Sequence, residues 1–191
     1  MTSVTEFAAI SALSFLFGIT QKLADGHHEH GLNLFPYAGV VFGCLWGGIG
    51  FCLISYSPVL QAVYLSLLLY WFYKQKIDCF PHVFGAWVML FGVFLAKGYF
   101  AFPLLGVLGL LAGYLAFDTV KRGCGSARFK WFFARRVHFH LLHLVYAVAV
   151  WDIYAYSSLF FGLLGTAFAN RVFAIPGASE SAYKSQPVQA G

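Results

Sequence analysis

The feature that most constrains this chain is a series of long apolar runs with almost no charged residue inside them. Seven runs lie at 4–20, 34–55, 59–73, 82–96, 99–117, 138–154 and 158–173. A helix needs about 20 apolar residues to cross a bilayer, and about 17 suffice at the short end. The sequence therefore predicts an all-α integral membrane bundle of seven transmembrane helices. Since several runs are short, six helices with one re-entrant segment is the alternative.

The composition agrees with a membrane protein and excludes two other classes. Only 10% of the residues are charged and 60% are hydrophobic, whereas soluble domains carry roughly a quarter of charged residues. A disordered chain would need low hydrophobicity and high charge. We expect one transmembrane domain over 1–176 and a disordered polar tail over 177–191. The predicted location is multi-pass, in a cytoplasmic or inner membrane.

The basic residues predict how the bundle is oriented. With seven crossings, the loops near 21–33, 74–81 and 118–137 share one side with the C-terminus, and that side holds eleven of the twelve Lys and Arg residues. The other side holds only Lys97. Cytoplasmic loops are enriched in Lys and Arg. The N-terminus is therefore predicted outside and the C-terminus in the cytoplasm.

Glycine and cysteine carry weaker signals. The spacing of Gly39, Gly43 and Gly47 is typical of helices that pack closely in lipid, where small residues let backbones approach. Such a face also offers a surface for oligomerisation. The four cysteines show no paired framework, so no structural disulfide is expected.

The first polar cluster follows the first apolar run and is rich in histidine. It contains His27, His28 and His30, together with Asp25 and Glu29. Neutral imidazole is the commonest metal ligand among side chains, so this tract is a candidate site for a divalent metal (Zn, Fe, Mn or Mg). The spacing matches no closed zinc template. The alternative is a flexible, solvated loop.

The second cluster lies in the short connection between the third and fourth runs. Lys74 and Lys76 are candidates to neutralise a phosphate, and Asp78 is a candidate metal ligand or general base beside His82. The alternative is that the two lysines only anchor the cytoplasmic side of the membrane, with Asp78 compensating their charge.

The third cluster opens the sixth run. His140 and His143 are three residues apart and share one helix face, so they are candidates to bind a metal together, whereas His138 lies on another face. The alternative is a set of hydrated histidines at the membrane interface. Upstream, the segment from Arg128 to Arg136 mixes basic and aromatic residues. It predicts contact with anionic lipid head groups rather than with nucleic acid.

Taken together, the clusters favour an integral membrane enzyme with a site facing the cytoplasm. Its substrate would be a lipid or an isoprenoid, and the two lysines favour a phosphorylated one. Its chemistry would be metal-assisted hydrolysis or group transfer. The candidate catalytic residues are Asp78, Lys74 and Lys76, and the candidate metal ligands are His27, His28, His30, His82, His140 and His143.

Two alternatives of other classes remain open. One is a small transporter or metal-ion permease, although ion-coupled carriers usually place ionisable residues near the membrane midplane and the centres of these runs have none. The other is a non-catalytic assembly subunit that uses the glycine-rich faces to bind partners.

Overall fold

A computed structural model describes residues 3–95, 103–123 and 127–175, with side chains except at 92–95 and 127–130. The predicted polar tail at 177–191, Lys97 and Cys124 lie outside the described residues, as do the side chains of Arg128 and Lys130. The described part contains eight helices and no strand. The predicted all-helical class is confirmed.

Every predicted apolar run overlaps one helix, and one short helix was not predicted. The helices are α1 Val4–Glu29, α2 Ala38–Tyr56, α3 Pro58–Tyr73, α4 Phe80–Leu95, α5 Leu104–Gly123, α6 Ala127–Ala134, α7 Val137–Val150 and α8 Tyr154–Val172. Helices α1, α2 and α5 are long and apolar enough to cross a membrane. Helices α3 and α7 and the first part of α4 are apolar but shorter. These features fit a helical membrane protein.

The first helix is longer than the sequence predicts. We expected a span ending at Thr20 and a polar loop over 21–33, but α1 continues to Glu29. Its last turns bury Leu23, Ala24 and Gly26, while Asp25 and other polar residues face a central cavity. The polarity of this segment therefore reflects a helix face that lines a cavity rather than a loop.

The loop predicted over 118–137 is also partly helical. Helix α5 runs on to Gly123, and α6 occupies Ala127–Ala134 before α7 begins. Arg136 separates α6 from α7 with a positive φ of 55°, a conformation that breaks helical geometry and that residues other than glycine adopt uncommonly. The chain therefore turns sharply at Arg136.

Six helices form a ring, and a seventh packs outside it. Going round the ring, α1 contacts α8, α8 contacts α7, and α7 contacts α5. Helix α5 contacts α3, α3 contacts α2, and α2 returns to α1. Helix α4 packs mainly on α2. A ring of this kind encloses space between its helices, and that space contains the candidate site.

Glycines allow the backbones of two helix pairs, α1 with α8 and α2 with α4, to approach closely. A Cβ atom on Gly18 of α1 would overlap the carbonyl oxygen of Gly162 on α8, and one on Gly43 of α2 would lie 2.5 Å from the carbonyl oxygen of Pro81 in the first turn of α4. Gly47 meets Gly85 of α4 in the same way. The packing role predicted for Gly43 and Gly47 is confirmed, and their partner lies within the same chain.

Candidate functional site

A cavity of about 1000 Å³ lies between the helices of the ring. All of the ring helices line it, together with His82 of α4 and the α6–α7 connection. Ligand pockets usually measure about 300 to 1,000 Å³, so this space suits a ligand of considerable size.

The charged residues of the cavity gather at one end of the bundle. Helices α1, α3 and α5 end there, and α4 and α7 begin there. Six basic residues line this end, against three acidic ones: Lys22, Lys74, Lys76, Lys121, Arg135 and Arg136 against Asp25, Glu29 and Asp118. We call this set the charged rim. Its excess of positive charge favours an anionic ligand.

Arg136 belongs electrostatically to this rim. Desolvation lowers the pKa of Arg136, and attraction to the Asp25 carboxylate acts in the opposite direction. The guanidinium of arginine keeps its charge at neutral pH. Arg136 and Asp25 both line the cavity, so electrostatic attraction between the guanidinium and the carboxylate acts within the charged rim.

The inner wall of the cavity is aromatic and aliphatic. Phe17 of α1 packs against Trp46 of α2 and Trp71 of α3, with ring centroids 5.9 and 6.3 Å apart. Tyr64 and Leu67 of α3 continue this wall. The cavity is therefore amphiphilic, with a charged rim at one end and an apolar interior beyond it.

His82 is held at the rim by groups on both of its ring nitrogens. Nε2 lies 2.6 Å from Oδ1 of Asp25 on α1, and Nδ1 lies 3.0 Å from the carbonyl oxygen of Lys76. Nδ1 is also 3.8 Å from Oδ1 of Asp78. The ring is buried, and its orientation is fixed by the Nδ1 hydrogen bond and by the close charge contact of Nε2 with Asp25, which does not have hydrogen-bond geometry. The structure thus joins the first two sequence clusters through Asp25 and His82.

Cys79 lies beside His82 at the start of α4. Oxygen, sulfur and nitrogen atoms of Asp78, Cys79 and His82 all lie within 4.8 Å of one another. Cys79 is buried, with 4% of its surface exposed, whereas Asp78 is exposed. Burial raises the pKa of the Cys79 thiol, and the nearby negative charge of Asp78 raises it further.

Lys74 already has a partner in the structure. Its Nζ lies 2.9 Å from Oδ1 of Asp118, whose Oδ2 lies 2.7 Å from Arg122. The Asp118 side chain is only 7% exposed, so the two cations satisfy a carboxylate that has little access to water. Lys74 thus connects α3 to α5, and its predicted contact with a phosphate would compete with Asp118.

Asp118→Asn is expected to lower the free energy of unfolding by about 1–2 kcal/mol, because it removes the charge that Lys74 and Arg122 share. The loss is modest because Lys74 and Arg122 are 32% and 65% exposed, and water screens exposed ion pairs. Thermal unfolding in detergent would measure the change. Glu29→Gln, at an exposed carboxylate, is the matched control and should change stability little. Equal effects of the two variants would contradict the role given to Asp118.

The three histidines of the first cluster have different surroundings. His30 lines the cavity, where its Nε2 lies 3.8 Å from Oε2 of Glu29. His28 is exposed, and the half-buried ring of His27 packs against Phe42 of α2 with centroids 6.0 Å apart. The predicted shared metal site of His27, His28 and His30 stays a prediction, and only His30 lines the cavity.

The histidines of the third cluster also separate. His138 and His140 line the cavity, and His138 is surrounded by Phe117, Phe132 and Phe133. His143 is fully buried in the core. Its Nδ1–H donates to the carbonyl oxygen of Ala155 at 2.9 Å, so Nε2 accepts from the Tyr114 hydroxyl. Both ring nitrogens of His143 are therefore occupied by protein groups.

Sequence reasoning gave no role to Cys79 and only a supporting one to Asp25. Cys79 stands alone in its segment, three positions after Lys76, and so gives no sign of a disulfide framework. The local pattern Cys79-x-x-His82 was the available signal, because two ligands at this spacing on a helix start can reach one metal. Asp25 carried no such signal, since its contact with His82 depends on how α1 and α4 meet.

Comparison with known proteins does not extend this description. No protein-family model matches the chain, and no significant similarity was found to curated proteins or to solved structures.

Proposed function

We propose that this protein is an integral membrane enzyme that acts on an amphiphile with a phosphorylated head group, such as a lipid or isoprenoid phosphate. The observation that carries the proposal is the amphiphilic cavity, in which the charged rim lies next to an aromatic interior. A charged head group and an apolar tail would each find matching surroundings there. The proposal keeps the substrate class indicated by the sequence.

The head group would bind at the charged rim. Lys76 and Arg136 are the residues we assign to the phosphate, because both line the cavity and Lys74 is paired with Asp118. Hydrogen bonds to charged groups contribute roughly 1.5–3 kcal/mol each. The excess of basic over acidic residues at the rim would also attract an anion before contact.

The apolar tail would lie along the inner wall. Phe17, Trp46 and Trp71 form one side of it, and Tyr64 and Leu67 extend it along α3. Burial of apolar surface contributes about 25 cal/mol per Å², so a long chain would add more affinity here than the head group alone.

The reaction centre would be at His82. Asp25 holds Nε2 of the ring, and such a carboxylate fixes the orientation of an imidazole in both acid–base and metal sites. His82 lies in the first turn of α4 and lines the cavity beside the charged rim. A phosphate held by Lys76 and Arg136 would therefore lie near the groups that surround this ring.

We also propose the membrane arrangement. Helices α1 to α5, α7 and α8 would cross the bilayer, with the N-terminus outside and the C-terminus in the cytoplasm, in a cytoplasmic or inner membrane. The basic rim supports this orientation, since Lys and Arg collect on the cytoplasmic side. Helix α6 and Arg135 would lie at the level of anionic head groups. The cavity would then open toward the cytoplasm.

Ligand binding tests the proposal through the tryptophans of the cavity wall. The full chain, with Trp87, Trp131 and Trp151 replaced by phenylalanine so that only Trp46 and Trp71 fluoresce, is titrated in detergent with geranylgeranyl monophosphate, with geranylgeraniol and with inorganic phosphate. We expect the phosphorylated isoprenoid to bind most tightly. The double variant Lys76→Gln, Arg136→Gln should weaken it by about 10-fold or more and leave binding of the alcohol unchanged.

Arg171→Gln provides the matched control for this titration. Arg171 is an exposed basic residue of α8 that is not among the cavity-lining residues, so its replacement should leave the affinity unchanged. Equal affinity for the alcohol and the phosphate, or an equal loss in Arg171→Gln, would overturn the proposed head-group site.

Turnover is tested separately from binding. Release of phosphate, or its transfer to an acceptor alcohol, is measured with the same isoprenoid phosphate. Asp25→Asn should lower the rate by about 100-fold, in the usual range for loss of positioned acid–base help, while affinity changes little. Binding without turnover, combined with uptake of the isoprenoid phosphate into vesicles, would show that the protein is a transporter and not an enzyme.

A further inference from the structure

We propose that Asp78, Cys79 and His82 form a zinc site at the start of α4. Their candidate ligand atoms all lie within 4.8 Å of one another. This group, found within the described residues, brings together one carboxylate, one thiol and one imidazole. Side chains of all three types bind transition metals. The proposal adds Cys79 to the site and names the metal.

The distances are close to those that zinc requires. Zinc binds oxygen and nitrogen at about 2.0–2.2 Å and sulfur at about 2.3 Å, in tetrahedral geometry. Two such ligands are then roughly 3.3–3.8 Å apart. The 3.8 Å between Asp78 Oδ1 and His82 Nδ1 already lies at the edge of this range. All three ligand atoms lie within 4.8 Å of one another, so side-chain movements of up to about 1 Å would bring them to zinc-binding distance.

The ligand types favour zinc over the hard cations. Thiolate and imidazole are preferred by zinc, whereas magnesium and calcium take oxygen ligands. Together, the thiolate and the carboxylate would balance the charge of Zn²⁺. On binding, the protons of the Cys79 thiol and of His82 Nδ1 leave to water, because both atoms must offer a lone pair to the metal.

The local fold holds two of the three ligands in place. The carbonyl oxygen of Cys79 accepts a hydrogen bond from the backbone N–H of Val83 at 2.9 Å, so Cys79 is fixed to the first turn of α4. The side chain of His82 follows one turn later and is 8% exposed. Asp78 is exposed and gives the metal a route from solvent.

Asp25 supplies the supporting contact that metal-bound histidines usually have. A metal-binding imidazole commonly donates its other N–H to a carboxylate, which fixes its tautomer and orientation. Here Nε2 faces Asp25 at 2.6 Å, which leaves Nδ1 on the side of Asp78. In the structure Nδ1 lies 3.0 Å from the Lys76 carbonyl oxygen, and zinc would take the place of that hydrogen bond.

The number of ligands points to a metal with an open position. Structural zinc sites have four protein ligands, whereas catalytic ones have three and a water. With three protein ligands beside the charged rim, the metal would carry an activated water next to the proposed phosphate site. The inference does not depend on the proposed function, because metal binding is measured without any substrate.

Metal content and cobalt spectroscopy test the site directly. The full chain is purified in detergent, freed of metal with a chelator, and titrated with Zn²⁺ alone and with Co²⁺ alone. We expect about one equivalent of zinc and a cobalt–thiolate absorption band. Cys79→Ser should abolish the band and weaken zinc binding, and Asp25→Asn should weaken it by roughly 10- to 100-fold.

Cys52→Ser is the control, because Cys52 is a free, exposed cysteine of α2 that lies outside the triad. It should keep the band and the zinc affinity. As a measurement that does not need a cysteine variant, the zinc affinity measured by calorimetry should fall in Asp78→Asn and in His82→Gln. A cobalt spectrum without a thiolate band would overturn the proposal. So would zinc binding that survives Cys79→Ser but is lost when His27, His28 and His30 are replaced by alanine.

Discussion

Gly18→Ala is expected to destabilise the bundle by about 3 kcal/mol, the upper end of the usual cost of overpacking. The added methyl group would overlap the carbonyl oxygen of Gly162 on α8. A backbone atom cannot rotate away as a side chain can, so α1 and α8 would have to separate. Because α1 packs extensively on α8 and lines the cavity, the separation would also disturb the candidate site.

Gly48→Ala is the matched control for this change. It introduces the same methyl group into α2, where no atom lies within 4 Å of the new position. Alanine is a better helix former than glycine by about 1 kcal/mol, so this variant should be neutral or slightly more stable. The readout is the temperature at which the detergent-solubilised protein loses its monodisperse gel-filtration peak. Equal midpoints for the two variants would show that the α1–α8 contact is looser than described.

The close contact of α1 with α8 also shows what the sequence can and cannot predict. Each apolar run predicted one helix, because an apolar run of this length has few other stable forms in lipid. The order of the helices around the ring carries no comparable signal. The runs at 4–20 and 158–173 lie at opposite ends of the sequence, and their packing could not be predicted from periodicity.

The candidate site illustrates the same limit. The sequence indicated polar clusters around Asp25, Lys76 and His140, but it did not show that they share one cavity. In the structure all three residues line the same space, because their helices meet at one end of the ring. The error at α1 has a related cause, since a helix whose polar face lines a cavity has the composition of a loop.

Residues that look equivalent in the sequence differ once the helices are packed. His140 and His143 were predicted to bind one metal because they are three residues apart on one helix. Adjacent positions on a helix face can still meet different neighbours, and here His140 lines the cavity while His143 enters the core between α5 and α8. We therefore expect the loss of His143 to reduce stability much more than the loss of His140.

His143→Ala is expected to lower the free energy of unfolding by about 3–5 kcal/mol. The imidazole is fully buried, and its removal leaves a cavity whose cost adds to that of the lost contacts. It also removes the hydrogen bonds to the Tyr114 hydroxyl and the Ala155 carbonyl oxygen, and unpaired buried groups cost about 1–3 kcal/mol each. Thermal unfolding in detergent would measure the loss.

His140→Ala is the matched control, since the same substitution one turn earlier removes a half-buried ring that lines the cavity. It should change stability by less than about 1 kcal/mol, because no comparable core cavity forms. Treatment with a metal chelator separates the structural role from the one predicted by the sequence. If the chelator destabilised the native chain but had no further effect on His143→Ala, His143 would be holding a metal. A chelator effect of the same size, or none, in the native chain and in His143→Ala would assign the imidazole to the link between α5 and α8.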